Sequence, residues 1–355
     1  MKYQIYKKTN QKFSWQQKLI SPIFALLIAL LVSTILLLAI NQKPWDLFSA
    51  FFIEPLSSVY GISEVLMKAS VLIIIALGLA VGFQANVWNI GAEGQFVFGA
   101  LSGGIVALYF EYLPSFILIP MIICAGAFGG MFYAAIPAFL KTRFATNEIL
   151  SSLMLVYIAE LLLSYCVYGP LQAPEGQNFP QSAYFSDNAI FPIILNGTRL
   201  SITPLFVILI TPLIYLLLVR SYFGFQLKIM GSSKPVANYS GFNCNNMVWF
   251  CFLISGFLAG IAGISEVSAN ISQLVPNISP GYGFTAIIVA FLGRLHPIGI
   301  VFSGLLMALL YIGSEAAQIS LGLPIAIGGV FQGLILFSLL GTDFFLKYRI
   351  ARTKI

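Results

Sequence analysis

The stretch NVWNIGAEGQ, residues 86–95, lies between two long apolar runs and gathers Asn86, Asn89, Glu93 and Gln95 around two glycines, Gly91 and Gly94. Polar side chains are costly in apolar surroundings. Their concentration here marks either a break in the path of a helix or a site. Composition decides what kind of path it is. Of 355 residues, 59% are apolar and 8% charged, against about 25% charged in soluble domains. Apolar runs recur from residue 22 to residue 346. The chain is therefore an integral membrane protein. Its formal net charge of +6 reads as the positive-inside bias of such a protein. So little exposed polar surface excludes nucleic-acid binding.

A spanning helix needs about 20 mostly apolar residues. Runs and breakers place ten candidates at 22–40, 64–83, 93–110, 115–138, 147–168, 201–219, 247–267, 281–293, 297–314 and 325–345. The third begins inside the quoted stretch and the eighth is short, so both are candidate half-helices. The basic stretch from Lys2 to Lys18 resembles the start of a secretory signal. The run after it is too long for one, and no A-x-A-like cleavage site follows. It reads as a first span with a cytoplasmic flank.

The charges test this path. Alternate segments hold Lys2, Lys7, Lys8, Lys12 and Lys18; Lys141 and Arg143; Arg220, Lys228 and Lys234; and Lys347, Arg349, Arg352 and Lys354. The opposite loops hold only Lys43 and Arg199. Both termini are thus expected in the cytoplasm, with an even number of crossings. The expected organisation is a basic N-terminus (1–21), one transmembrane domain (22–346) and a basic tail (347–355). That domain has an external loop at 169–200 and an inner loop at 220–246. Small-residue pairs such as Gly99/Gly103, Gly126/Gly130 and Gly256/Gly260 suit close helix packing. Helices 2–5 and 7–10 read as inverted copies, each carrying one glycine-broken segment. Transporters often place the solute where such breaks meet.

Three carboxylates fall within spans: Glu93, Glu160 and Glu266. Each costs about 3 kcal/mol at the bilayer centre on insertion scales. Glu266 is expected near the outer end of its helix, within reach of water. Glu160 lies in an otherwise ordinary helix, where a structural hydrogen bond is one reading. Glu93 has polar neighbours. It either complements the positive end of its own helix, with Asn89 as cap, or contacts solute. The expected solute path comprises Asn86, Trp88, Asn89, Glu93 and Gln95 with Tyr282, Phe284 and Thr285. Amide side chains both donate and accept, which suits a neutral polar solute. Phe83, Trp88 and Tyr282 are candidates to stack on a ring.

No catalytic or energy-supplying motif occurs. The nearest text to a phosphate-binding loop, GSSKP at 231–235, has neither its spacing nor its residues. Cys124, Cys166, Cys244, Cys251 and the single His296 show no metal-ligand spacing. The expectation is a transport subunit, not an enzyme, with no metal or cofactor of its own. In the inner loop, Ser233, Pro235 and Gly241 punctuate a two-turn helix at about 234–240. It either joins two spans or plugs into a cytoplasmic partner, with Ala237 and Tyr239 supplying the contact area.

The segment FGFQLKIMGSSKPVANYSGF (223–242) resembles the coupling region of permease subunits of bacterial ABC importers, in the branch serving branched-chain amino acids and simple sugars. Gly224, Gly231, Ala237, Tyr239 and Gly241 match its pattern. Ser233, Lys234, Pro235 and Phe242 depart from it. NIGAEGQ (89–95), TNEILSSLML (146–155), SGFLAGIAGISEV (255–267) and GYGFTAIIVAFLGRLHPIG (281–299) resemble the nucleoside-importing sub-branch. The resemblance implies an all-α polytopic fold with inverted repeats in the bacterial inner membrane. It implies four kinds of partner: an ATPase subunit carrying ATP and Mg, a substrate-binding lipoprotein, a second permease subunit (the same chain or a paralogue) and membrane lipid. It also implies a nucleoside as solute. The alternatives are a ribose-like sugar as solute or an ion-coupled secondary transporter.

Overall fold

The computed structural model describes residues 2–7, 24, 27–28, 31–32, 34–35, 43–174, 179–324 and 326–353. Of the first expected span, 22–40, the described positions are all helical. The rest of it, with residues 8–21 of the basic N-terminal stretch, lies outside the described residues. Among the described residues the chain forms two compact units, residues 59–308 and residues 1–58 with 309–355.

In the larger unit, α2 (Val59–Gln84), α3 (Ala92–Tyr109), α4 (Ser115–Phe144) and α5 (Glu148–Tyr168) form the first series of helices. These are followed by α6 (Thr203–Tyr215), α7 (Tyr222–Ser232), α8 (Lys234–Tyr239), α9 (Cys244–Glu266) and α10 (Tyr282–Leu292). The helix α11 (Pro297–Leu321) begins in this unit. Single π-helical turns extend α6 through Arg220 and α9 through Ile271. Helix α2 is the most enclosed, with 89% of its apolar window buried, whereas α5 has 22% buried. Helix α9 lies against α2, α3 and α4. The small-residue pairs explain how: a Cβ on Gly260 would collide with the Gly126 backbone, and one on Gly256 with Gly130. Backbones in contact give dispersion and weak Cα–H···O contacts, the forces left to hold helices together in lipid.

The smaller unit contains α1 (Pro44–Phe48), continued by a π-helical turn, and α12 (Ala326–Lys347). Phe51 packs on Phe331 with ring centres 4.9 Å apart. A two-stranded antiparallel ribbon departs from the all-α expectation. It pairs β1 (Lys2–Lys7) with β2 (Tyr348–Thr353), Lys2 opposite Thr353 and Lys7 opposite Tyr348. Tyr and Ile recur in both strands, residue types that suit a pleated backbone.

Six helices among the described residues are long and apolar enough to span: Val59–Gln84, Ser115–Phe144, Glu148–Tyr168, Thr203–Arg220, Cys244–Ile271 and Pro297–Leu321. Shorter apolar helices at Tyr282–Leu292 and Ala326–Leu339 add to them, so the count of ten segments is approximate. Helix α10 has 11 residues, about 16 Å at 1.5 Å per residue, which is half a crossing. Helix α3 starts on a polar turn rather than a continuous apolar run. The two are the glycine-marked short or interrupted segments that the sequence singled out.

Candidate functional site

The end of α2 creates the break. Asn86 takes a left-handed conformation at φ 57°, and the Val87 N–H bonds back to the Gly82 carbonyl at 2.9 Å. Asn tolerates this geometry better than other non-glycine residues. Its exposed side chain accepts a hydrogen bond from the Trp88 indole at 2.9 Å. Trp88 then packs on Phe83 and Phe291, at 5.2 and 5.7 Å between ring centres. Phe83 and Phe291 also stack on each other at 5.1 Å. These aromatic faces are spent on packing the end of α10 against the break.

Asn89 and Gln95 form one buried unit. The Asn89 amide donates to Gln95 Oε1 and to Ser255 Oγ on α9, both at 2.9 Å. Its carbonyl accepts from the Gln95 amide and from the Gly91 N–H, both at 3.1 Å. An amide with four partners is saturated. The pair therefore holds the entry of α3 against α9. Gly91 and Gly94 let α3 touch α5, since a Cβ at either would strike the backbone of Ser152 or Val156.

Glu93 reaches elsewhere. It is 2% exposed, and its carboxylate accepts the Gly283 backbone N–H in the first turn of α10. Ser279 and Gly281, just before that helix, also interact with it. Asn89, the expected cap, does bond the Gly91 N–H ahead of α3. Glu93 bonds the facing helix rather than its own. The starts of α3 and α10 abut so closely that a Cβ on Gly283 would collide with Glu93 backbone atoms. Gly281, at φ 96°, turns the chain into α10. Each helix N-terminus carries about half a positive charge, and the two ends meet here. One carboxylate in the first turn of α3 neutralises both.

The remaining predicted residues on α10 diverge. Tyr282 is 1% exposed and packs edge-on against Phe96. Thr285 is buried, whereas Phe284 is 40% exposed. The Tyr282 hydroxyl leads to a cluster that sequence reasoning missed. It accepts from Lys68 on α2 and donates to Glu266 on α9 at 3.4 Å. Lys68 pairs with Glu266 at 3.5 Å and lies 4.9 Å from the centre of the Tyr282 ring. Asn270 donates to the other Glu266 oxygen at 2.8 Å. Glu266 is 3% exposed, so the expectation of a water-exposed carboxylate is corrected. The available signal was a lone lysine in one apolar helix and a lone glutamate in another.

The segment 220–246 carries the remaining predicted residues. Helix α8 starts at Ser233, carries Pro235 in its first turn and ends before Gly241, which has φ 77°. Gly224 and Gly231 serve packing. A Cβ on Gly224 would strike the Leu217 and Leu218 carbonyls, and one on Gly231 the Gln84 carbonyl at the end of α2. Ala237, on the underside of α8, is fully buried, so it offers no outward contact area, while Tyr239 is 95% exposed and Val236 beside it 53%. His296 packs edge-on with Tyr215 at 5.8 Å. Desolvation, then the Lys228 ammonium, push its pKa below the usual histidine value. At neutral pH it is an uncharged turn residue. Among the described residues no three potential ligands gather as a metal site.

Comparison with known proteins follows the same lines. The family described as branched-chain amino acid transport system / permease component matches residues 61–340. The chain is 35% identical over 343 residues to a glucose ABC transporter permease protein of Haloferax volcanii, covering 93% of this chain and 89% of that one. It is 27% identical over 329 residues to a nucleoside ABC transporter permease protein of Lactococcus lactis subsp. cremoris, covering 90% of each. It is 26% identical over 310 residues to a guanosine ABC transporter permease protein of Bacillus subtilis, covering 86% of this chain and 88% of the relative.

Proposed function

The chain belongs to the branched-chain amino acid transport system / permease component family, and on that premise we propose that this ABC transporter permease subunit imports a neutral, hydroxylated solute of the nucleoside class. The observation that carries this reading is the meeting of α3 and α10. Half-helix N-termini in transporters commonly face anionic groups of the solute. Here the chain's own Glu93 occupies both positive ends. The cation of the outer cluster, Lys68, is likewise held by Glu266. Both features favour hydrogen bonding over ion pairing as the mode of recognition.

Energy comes from a partner ATPase that binds ATP and Mg. Helix α8 meets that partner through Tyr239 and Val236, with Ala237, Gly224 and Gly231 anchoring the helix from beneath. Closure of the ATPase pair would press on α8, and Gly231 would pass the motion to the end of α2. A substrate-binding lipoprotein delivers the solute outside, and a second permease subunit completes the path. The terminal ribbon supports both termini lying on one side of the bacterial inner membrane, the cytoplasmic side by the positive-inside rule. Membership of this family sets aside an ion-coupled transporter.

A second reading, a simple sugar as solute, is favoured by the 35% identity to a glucose permease. One experiment separates them. The chain is reconstituted in liposomes with its ATPase and binding protein, and ATP hydrolysis and uptake are measured with guanosine, uridine, glucose and ribose. Stimulation by the nucleosides supports the first reading and stimulation by the sugars the second. Uptake without ATP, driven by a proton or sodium gradient, would overturn both.

A further inference from the structure

Helix α5 presents an unusual face. Tyr157, Leu161, Tyr165 and Tyr168 are 55%, 70%, 69% and 61% exposed, as suits lipid or a partner subunit. Glu160 stands at the edge of that face, half-buried. It has no hydrogen-bond or ion-pair partner among the described residues. It lies twelve residues from Glu148 and eight from Tyr168, about 18 and 12 Å along the helix. That depth is beyond the reach of a glutamate toward either surface. Its charged neighbour is another carboxylate, Glu93.

Lipid cannot face such a group without large cost. A second copy packed through the same face would not neutralise it, because α5 contains no lysine, arginine or histidine. A symmetric contact would set Glu160 against Glu160, which a dry interface does not tolerate. A water-filled path beside Glu160 would meet that cost.

We propose that Glu160 lines the solute path and accepts hydrogen bonds from neighbouring hydroxyls of the solute, with Tyr157 one turn before it offering a ring face and Ser164 one turn after it a hydroxyl. A carboxylate presents two acceptor oxygens, which match two adjacent hydroxyls on a sugar ring, free or within a nucleoside. This rests on the reading of the chain as an importer of neutral hydroxylated solutes. It adds the residue that tells a hydroxylated solute from its deoxy analogue.

The test uses the reconstituted importer with saturating, solute-loaded binding protein. Uptake of guanosine is compared with 2′-deoxyguanosine, and of glucose with 2-deoxyglucose. The wild type is expected to favour the hydroxylated member of the transported pair about tenfold, the scale of one charge-assisted hydrogen bond. Glu160→Gln should narrow that ratio to about threefold and Glu160→Ala to about one, with uptake of the hydroxylated member falling about tenfold more than that of its deoxy analogue, which keeps one of the two hydroxyls. Parallel loss of both members would show a structural role and overturn the proposal. So would an unchanged ratio, or release of a permease subunit on size-exclusion chromatography, which would make Glu160 a subunit contact. If the wild type carries neither pair, the proposed function itself fails, an outcome distinct from each of these.

Discussion

Replacing Glu93 tests whether this carboxylate is a structural clamp. The Glu93→Ala change removes the acceptor for the Gly283 N–H, a charge-assisted bond of about 1.5–3 kcal/mol. It also leaves two helix N-termini facing each other without a counter-charge, at about 1 kcal/mol for each end. With the small void, the loss comes to about 4–6 kcal/mol. Glu93→Gln keeps a carbonyl acceptor and the side-chain volume, so about 2 kcal/mol is expected from the missing charge. In a unit of about 250 residues, 1 kcal/mol shifts Tm by about 2–4 °C. The alanine variant should therefore melt about 15 °C below wild type and the glutamine variant about 5 °C below, by fluorescence-detected melting in detergent. Transport by the glutamine variant should survive in proportion to folded protein. Two wild-type melting curves with transport lost in both variants would refute the clamp, because the charge would then be required by the transport step.

Three further changes have defined outcomes. Lys68→Met strands Glu266 as an unpaired buried charge and should cost about 3–5 kcal/mol, most of it recovered by adding Glu266→Leu; a double-mutant cycle by thermal melting checks this. Gly260→Ala drives a methyl group into the Gly126 backbone and should cost at least 1–3 kcal/mol, seen as loss of monodisperse protein on size-exclusion chromatography. Tyr239→Ala, at a site 95% exposed, should move stability by less than about 0.5 kcal/mol yet abolish solute-stimulated ATP hydrolysis by the assembled importer.

Local signals were legible in the sequence. Ser233, Pro235 and Gly241 place α8 within a residue of its observed Lys234–Tyr239, because cap, first-turn proline and left-handed stop each act within a few residues. Ends that depend on surroundings were misplaced. Helix α4 was expected to stop at 138 but runs on to Phe144, with Lys141 and Arg143 in its last turn. Basic side chains there suit the negative end of the helix, so the apolar run ends before the helix does. Helix α11 passes Ser314 and Glu315 to reach Leu321, polar residues that looked like a terminus.

The site was half-legible for a related reason. NVWNIGAEGQ announced the break, and the internal bonds of Asn89 and Gln95 span six residues. The Glu93 acceptor position lies 190 residues from its donor, and Lys68 lies 198 residues from Glu266. No local pattern specifies such pairings. Ala237 shows the converse limit: its residue type fitted a contact surface, but the phase of a two-turn helix put it underneath.

The meeting of α3 and α10 has a consequence that does not depend on any solute. Two helix N-termini held together form an anion site, and Glu93 is the anion that fills it. The Glu93→Ala variant should then accept an anion from solution in place of the missing carboxylate. Formate matches the lost group. With a dissociation constant of about 10 mM, 100 mM formate would return RT ln 11, about 1.4 kcal/mol, and raise Tm by about 3–5 °C. Formamide, of similar size and without charge, should give no shift, and wild type should respond to neither, since its own carboxylate holds the place. Equal stabilisation by formate and formamide would mean that volume alone was restored. No response to formate, in a variant that melts as low as expected, would mean that the two helix ends do not act as a joint positive pole. The electrostatic case for a neutral solute would then fall with them.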